Sequence, residues 1–459
     1  MLFSSIGFIY VFLPIVVVIT HVLRAPERAT QRKLWLIAAS LVFYAWGRPA
    51  NLAVLLVSLV CNHAFGTAIG RARAAENTRR ARATLIAGLC ANVGALCVFK
   101  YSSLGLPLGI SFFTLQQVMY LVDCYEGLIE PHALLDHAAF VTFFPWVTAG
   151  PIVRSREVMP ALRGDGVDPT NPADRIAPAM LLFALGLVKK AVFAQTFGRW
   201  TDPVFDGTTP LSVFEGWAGS GAYCLQLYYD FSGYSDMAIA VAAMLGVRVP
   251  FNFDNPYHAT SVVDFWKRWH ISLSRFITTY LYTPLARLRE RITFGWALFA
   301  TFTSMVIAGI WHGAALSFVI FGALHGAGLV TNQLWKKTKR KLPKPLAIAL
   351  TLAFVDLAFV FFRAPSIAAA LRVLRAMFGA SHSLYASAAW GNIRTLEKVP
   401  LWIVAAAGLA AILPKATSNT LFQSFRPSNR ALAFTVALAV LGLLFLNTAP
   451  VKDFVYLDF

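Results

Sequence analysis

The sequence predicts an all-α protein, a polytopic bundle of transmembrane helices, and three observations carry that prediction. Of 459 residues, 58% are hydrophobic, 14% aromatic and only 14% charged, with a mean hydropathy of +0.62, whereas a soluble domain carries about 25% charge. The apolar residues gather in many blocks of about 17–25 residues, the length that takes a helix across roughly 30 Å of hydrocarbon, and blocks of that length favour helices over a barrel. Basic residues fall between the blocks, so the net charge of +18 follows the positive-inside pattern. That charge is therefore not a nucleic-acid surface: the expected surroundings are membrane lipids, and no nucleic acid is expected as a partner. The five cysteines show no C-x-x-C spacing and read as small hydrophobes.

Taken in order, the first block (residues 6–23) has no Lys or Arg before it and no small-residue cleavage site, and reads as a retained span. Arg24, Arg28, Arg32 and Lys33 follow it, which puts the amino terminus outside. Blocks at 34–46 and 52–70 lead to a second basic loop, Arg71 to Arg82, of the same sidedness. Further blocks lie at 83–99, 106–125 and 138–153, the last broken by Pro145, Gly150 and Pro151 and so expected to be re-entrant. More follow at 176–195, 213–228, 236–247, 294–313, 316–335, 346–362, 401–413 and 432–446. The expectation is a single domain over 1–459, with roughly 11–13 membrane-embedded segments. The run Lys336 to Lys341 fixes a cytoplasmic loop, and parity from there leaves the carboxyl terminus outside.

Residues 264–291 differ from these blocks. Phe265, Trp269, Leu273, Phe276 and Tyr280 recur at helical spacing opposite Lys267, Arg268, Arg275 and Arg287, which predicts an amphipathic helix that lies along the membrane surface or dips into it. Within it, Trp266-Lys267-Arg268-Trp269-His270 sets a histidine beside tryptophan, and Trp311-His312 repeats the pairing in an apolar span. An ionisable side chain is expensive there and suggests function. His312, near its ordinary pKa, suits the removal of a proton from a hydroxyl nucleophile, and His270 suits hydrogen-bond donation to a developing oxyanion. Together they fit acyl transfer from a thioester. His325, one helix further on, could share their cavity. Asp230 and Asp236, in a polar interruption with Ser232 and Ser235, are too costly to face lipid. Rival signals are poor: His132 to Asp136 satisfies an H-x-x-x-D pattern, but G-x-S-x-G, P-loop and H-E-x-x-H motifs are missing from the sequence.

Phe3-Ser4-Ser5 with Phe12-Leu13-Pro14, Phe43-Tyr44-Ala45-Trp46, Pro107 to Phe112, Ala149 to Arg154, Asp230 to Asp236, Phe265 to Ser272, Trp311 to Ala314, Phe362-Arg363-Ala364 and Phe454 to Phe459 follow one another along the whole chain. In this combination the sequence resembles the membrane-bound O-acyltransferase family, and within it the bacterial alginate O-acetyltransferase branch. The resemblance implies a helical bundle around a central tunnel, with His312 as the essential catalytic residue and His270 as the second family position. Arg268, Trp266, Trp311, Asp230, Asp236 and His325 are then candidates to line or support the site. No metal and no tightly bound cofactor is expected. The donor would be acetyl-CoA or another acyl thioester on the cytoplasmic side, and the acceptor an exported polysaccharide or a periplasmic acyl-accepting protein. The expected location is the bacterial inner membrane with both termini periplasmic. Residues 283–287 depart from the alginate branch and leave the acceptor open. A D-alanyl or longer-chain acyltransferase is the near alternative; a proton-coupled transporter or a structural subunit of a secretion complex comes from another class.

Overall fold

A computed structural model describes residues 1–102, 104–164, 172–379, 395–396, 399–415 and 417–448. The helices run, in order, α1 (Leu13–Val22), α2 (Ala29–Ala45), α3 (Asn51–Ala74), α4 (Thr78–Tyr101), α5 (Ile110–Glu126), α6 (Leu134–Thr142), α7 (Phe144–Val147) and α8 (Ser155–Arg163). They continue with α9 (Pro172–Val188), α10 (Gln195–Asp206), α11 (Val213–Met244), α12 (Val262–Arg268), α13 (Ile271–Phe276), α14 (Thr283–Ala286), α15 (Phe294–His312) and α16 (Leu316–Lys337). The last are α17 (Lys344–Arg363), α18 (Ile367–Met377), α19 (Leu401–Ala411), α20 (Ser418–Gln423) and α21 (Asn429–Thr448). A two-residue antiparallel pairing of Thr395–Leu396 with Val399–Pro400 is the one sheet element among the described residues.

Among the described residues, six helices are long and apolar enough to cross a membrane: α3, α4, the continuous stretch Asp174–Asp206, α15, α17 and α21. The chain is a multi-pass membrane protein. α11 does a different job. Its 32 residues are buried from Tyr223 to Met244 without interruption, so it is wrapped by protein and not by lipid. The blocks expected at 213–228 and 236–247 are thus one helix, and the polar interruption between them does not break it. The reason is pairing. α9 and α11 cross with backbones touching, since a Cβ on Gly186 would lie 2.7 Å from the Gly233 carbonyl oxygen. A π-helical stretch, Lys189–Ala194, follows that crossing. Lys189 there reaches Asp236 at 2.7 Å and Ser232 at 2.8 Å, and Lys190 binds Asp230.

Residues 138–153 form α6, the short α7 and a buried extended strap, as the prolines require. The stretch 264–291 differs from the continuous amphipathic helix expected: it is broken into α12, α13, a π-helical stretch Ile277–Tyr282 and α14. Phe265, Trp269 and His270 are buried, so it packs into the bundle. α15 and α16 form an antiparallel pair with no side chain between them at the crossing, a Cβ on Gly309 falling 2.9 Å from Gly322 Cα. Lys337 stacks on the Phe294 ring, so the basic end of α16 and the start of α15 share one face of the bundle. Arg363 binds Asp202 at 3.1 Å and Asp206 at 2.6 Å on the opposite face. The carboxyl terminus and the motif Phe454 to Phe459 lie outside the described residues.

Candidate active site

α15 starts behind a Thr293 cap that accepts from the Trp296 N–H at 3.2 Å, and it ends at His312. Its last turn is gripped from α4 and α5. Lys100 donates to the Trp311 carbonyl, and the Tyr101 hydroxyl donates to that of Ile310 at 3.4 Å. The Trp311 indole donates to the Ser111 carbonyl at 3.3 Å. Carbonyls at a helix C-terminus lack intrahelical donors, and a cation there complements the helix dipole. His312 itself is buried, its ring 5.1 Å from that of Phe362 and 5.9 Å from that of Phe321.

His270 arrives by a different route. α12 ends at Arg268, Trp269 is extended, and His270 takes a left-handed conformation with φ of 44° before α13 begins. The turn is held by Asn252: its carbonyl accepts from the Ile271 N–H at 2.9 Å, and its side-chain oxygen accepts from the Ser272 N–H at 3.1 Å and the Ser272 hydroxyl at 2.6 Å. The Ser272 oxygen accepts in turn from the Ile152 N–H at 3.0 Å, tying the buried strap to the same node. A strained backbone fixed by several partners is a recurrent way of aiming a functional side chain. His270 points inward and lies edge-on to Phe231 at 4.6 Å. His270, Lys100 and His325 all lie within electrostatic range of His312.

The structure therefore brings together His312, His270, His325, Trp266 and Trp311. The Trp266 indole N–H donates to His325 Nδ1 at 3.2 Å. Arg268 is not among them: its guanidinium turns to Asp264 at 2.8 Å and to the Asp254 carbonyl at 3.3 Å, stapling the turn from outside. Asp230 and Asp236 serve the α9–α11 ion pairs. Ser232 accepts from Lys189 and Ser235 from the Asn252 side chain, at 3.3 Å for the latter. His132 lies beside Tyr120, 5.4 Å between ring centres, while Asp136 binds Lys33 and Arg163, so the carboxylate of the H-x-x-x-D pattern is engaged by two cations. Sequence reasoning missed Lys100, Asn252, Lys189 and Lys190. The two lysines did leave a signal, since buried aspartates require cationic partners; Lys100 and Asn252 act through the fold and left none.

A helical membrane bundle that gathers buried histidines from separate elements is that of an integral-membrane protein with a functional centre at membrane depth, and the comparisons give its class as acyltransferase. Residues 74–368 match the model of the membrane-bound O-acyltransferase family, and the chain belongs to that family. It is 38% identical to a peptidoglycan O-acetyltransferase of Helicobacter pylori, over 83% of this chain and 80% of that protein. It is 36% identical to a probable alginate O-acetylase of Pseudomonas aeruginosa, over 82% of this chain and 75% of that one. A teichoic acid D-alanyltransferase of Streptococcus thermophilus is 28% identical over 52% of this chain and 59% of its own length.

Proposed function

We propose that the chain is an O-acetyltransferase of the bacterial inner membrane, which takes an acetyl group from a cytoplasmic thioester and delivers it for O-acetylation of an exported polysaccharide, directly or through a periplasmic acyl-accepting protein. The observation that supports this most strongly is the meeting of His312 and His270, from two separate tryptophan-flanked motifs, in one buried centre. The two O-acetyltransferase relatives align over most of the chain, and the D-alanyltransferase over about half, which favours acetyl over D-alanyl.

In the proposed reaction the acceptor hydroxyl oxygen attacks the thioester carbonyl carbon. The C–O bond forms as the C–S bond breaks, and the hydroxyl proton passes to His312 and from it to the departing sulfur, which leaves as a thiol. His270 donates a hydrogen bond to the oxyanion. Phe321, Phe362 and Phe231 exclude water, which would otherwise hydrolyse the donor. The face carrying Lys336 to Lys341 is then cytoplasmic, and Arg363 marks the periplasmic side.

His312→Ala tests the assignment. The variant is expected to reach the membrane at normal level while the ester content of the surface polysaccharide falls by about 10² to 10⁴ in rate terms, the scale of general base catalysis. Esters persisting at the wild-type level would refute it.

A further inference from the structure

Where α3 turns into α4, a cavity of about 370 Å³ is walled by His63, Thr67, Ala68 and Arg71 of α3, by Asn77 of the turn and by Arg80 of α4. No Asp or Glu lines it, and neither Arg71 nor Arg80 has a carboxylate partner among the described residues. Other arginines of this region are engaged: Arg73 donates to the Cys124 carbonyl at 3.2 Å, and Arg163 binds Asp136. Two guanidinium groups thus share one cavity with no counter-charge in its wall. α4 also begins there, its Arg80 N–H bound by the Asn77 side chain at 2.9 Å, and a helix N-terminus adds to the positive field. The cavity selects an anion.

Its depth says which anion. α3 and α4 are membrane spans, and only 28% and 17% of their apolar stretches are buried inside the protein, so both helices face lipid. Arg71 and Arg80 stand at the ends that meet water. Thr67 lies one turn below Arg71 and His63 two, about 12 Å into the span. A soluble anion needs only the charged end. Two cations at the water boundary, then a hydroxyl, then the small side chain of Ala68 follow the layout of a glycerophospholipid: phosphate, ester-linked glycerol, acyl chain. A lipid whose headgroup also carries a cation finds no carboxylate in this wall to receive it, so a net anionic headgroup fits best.

We infer that this cavity binds an anionic glycerophospholipid, with its phosphate between Arg71 and Arg80, its glycerol esters at Thr67 and the upper part of one acyl chain along Ala68 towards His63. The site is distinct from the histidine centre. Lys100, which grips the Trp311 carbonyl, is at the opposite end of α4, about 30 Å from Arg80 along the helix. The inference therefore stands apart from the acyl-transfer reading.

The test titrates lipid into the full-length protein in detergent and counts bound lipid by native mass spectrometry. Phosphatidylglycerol, the anionic probe, is expected to bind in one saturable step that phosphatidylcholine does not show and that inorganic phosphate does not compete away. Arg71→Gln and Arg80→Gln are each expected to weaken that step about fivefold, the scale of one cation at a membrane surface. Both side chains are exposed, so these variants should keep the wild-type melting temperature without lipid. Ala68→Phe, which fills the cavity below the cations, is expected to weaken binding while both arginines remain. Lys339→Gln with Arg340→Gln removes as much charge elsewhere and is expected to leave the affinity unchanged. Equal weakening by that distant pair would mean attraction to charge at large, and competition by inorganic phosphate would mean a free-anion site. Either result, or unchanged affinity in both arginine variants, overturns the inference.

Discussion

At the scale of single residues, His312 and His270 were legible because each stands beside tryptophan in surroundings where an ionisable group is costly. Their partners were not legible. Lys100 is distant in sequence from Trp311, and only the approach of α4 to α15 sets its ammonium on the Trp311 carbonyl. Lys100→Met is expected to let the last turn of α15 drift and to lower turnover roughly ten- to hundredfold, as small misplacements of a catalytic group do, with Lys100→Arg retaining more; transfer assays at matched membrane level check this. Asp230 and Asp236 were expected to line or support the site, and a sequence does not show that Lys189 and Lys190 neutralise them. Breaking one buried pair strands a charge, so Lys190→Met is expected to cost about 3–5 kcal/mol. Lys190→Met with Asp230→Leu is expected to recover most of that loss, as read by thermal unfolding in detergent.

At the scale of elements, hydropathy located most of the apolar helices and misjudged two stretches. α11 carries polar residues at its middle, which read as a gap until the facing lysines are known. Residues 264–291 have true helical periodicity, yet the hydrogen bonds that Asn252 accepts break them at His270, and no local signal shows a bond from Ser272 to a residue 20 positions earlier in the chain. The α15–α16 pair depends on backbone approach. Gly309→Val is expected to force these helices apart, since its side chain would meet Gly322 and the Phe318 carbonyl. Overpacking of this kind costs about 1–3 kcal/mol or more, and here it also displaces His312 from His325. A joint loss of melting temperature and transfer activity is the expected outcome, and wild-type values of both would count against the rigid pairing.

At the scale of the whole molecule, an all-helical membrane bundle was legible from composition alone, whereas the packing that closes it was not. Asp136 on α6 joins Lys33 of α2 at 2.6 Å and Arg163 of α8 at 2.7 Å. Burial pushes its carboxyl upward, but the bonds from Lys33 and Arg163 outweigh that and hold it below its ordinary 3.8. A carboxyl held low in the folded state stabilises fully above its unfolded value and loses that contribution as pH falls through the folded one. Acid unfolding of the wild type should therefore steepen below about pH 4, and Asp136→Asn should flatten that limb; identical acid limbs would show the three-helix junction to be inert. The double ion pair between α9 and α11 has a consequence for how such sequences diverge. A single substitution that removes the charge of Lys189, Lys190, Asp230 or Asp236 leaves its buried partner's charge without that counterion, so each pair is expected to be inherited as a unit. Related chains should hold both members of a pair or have exchanged both, and a lineage that lost only one would need a compensating cation or carboxylate elsewhere on the same two helices.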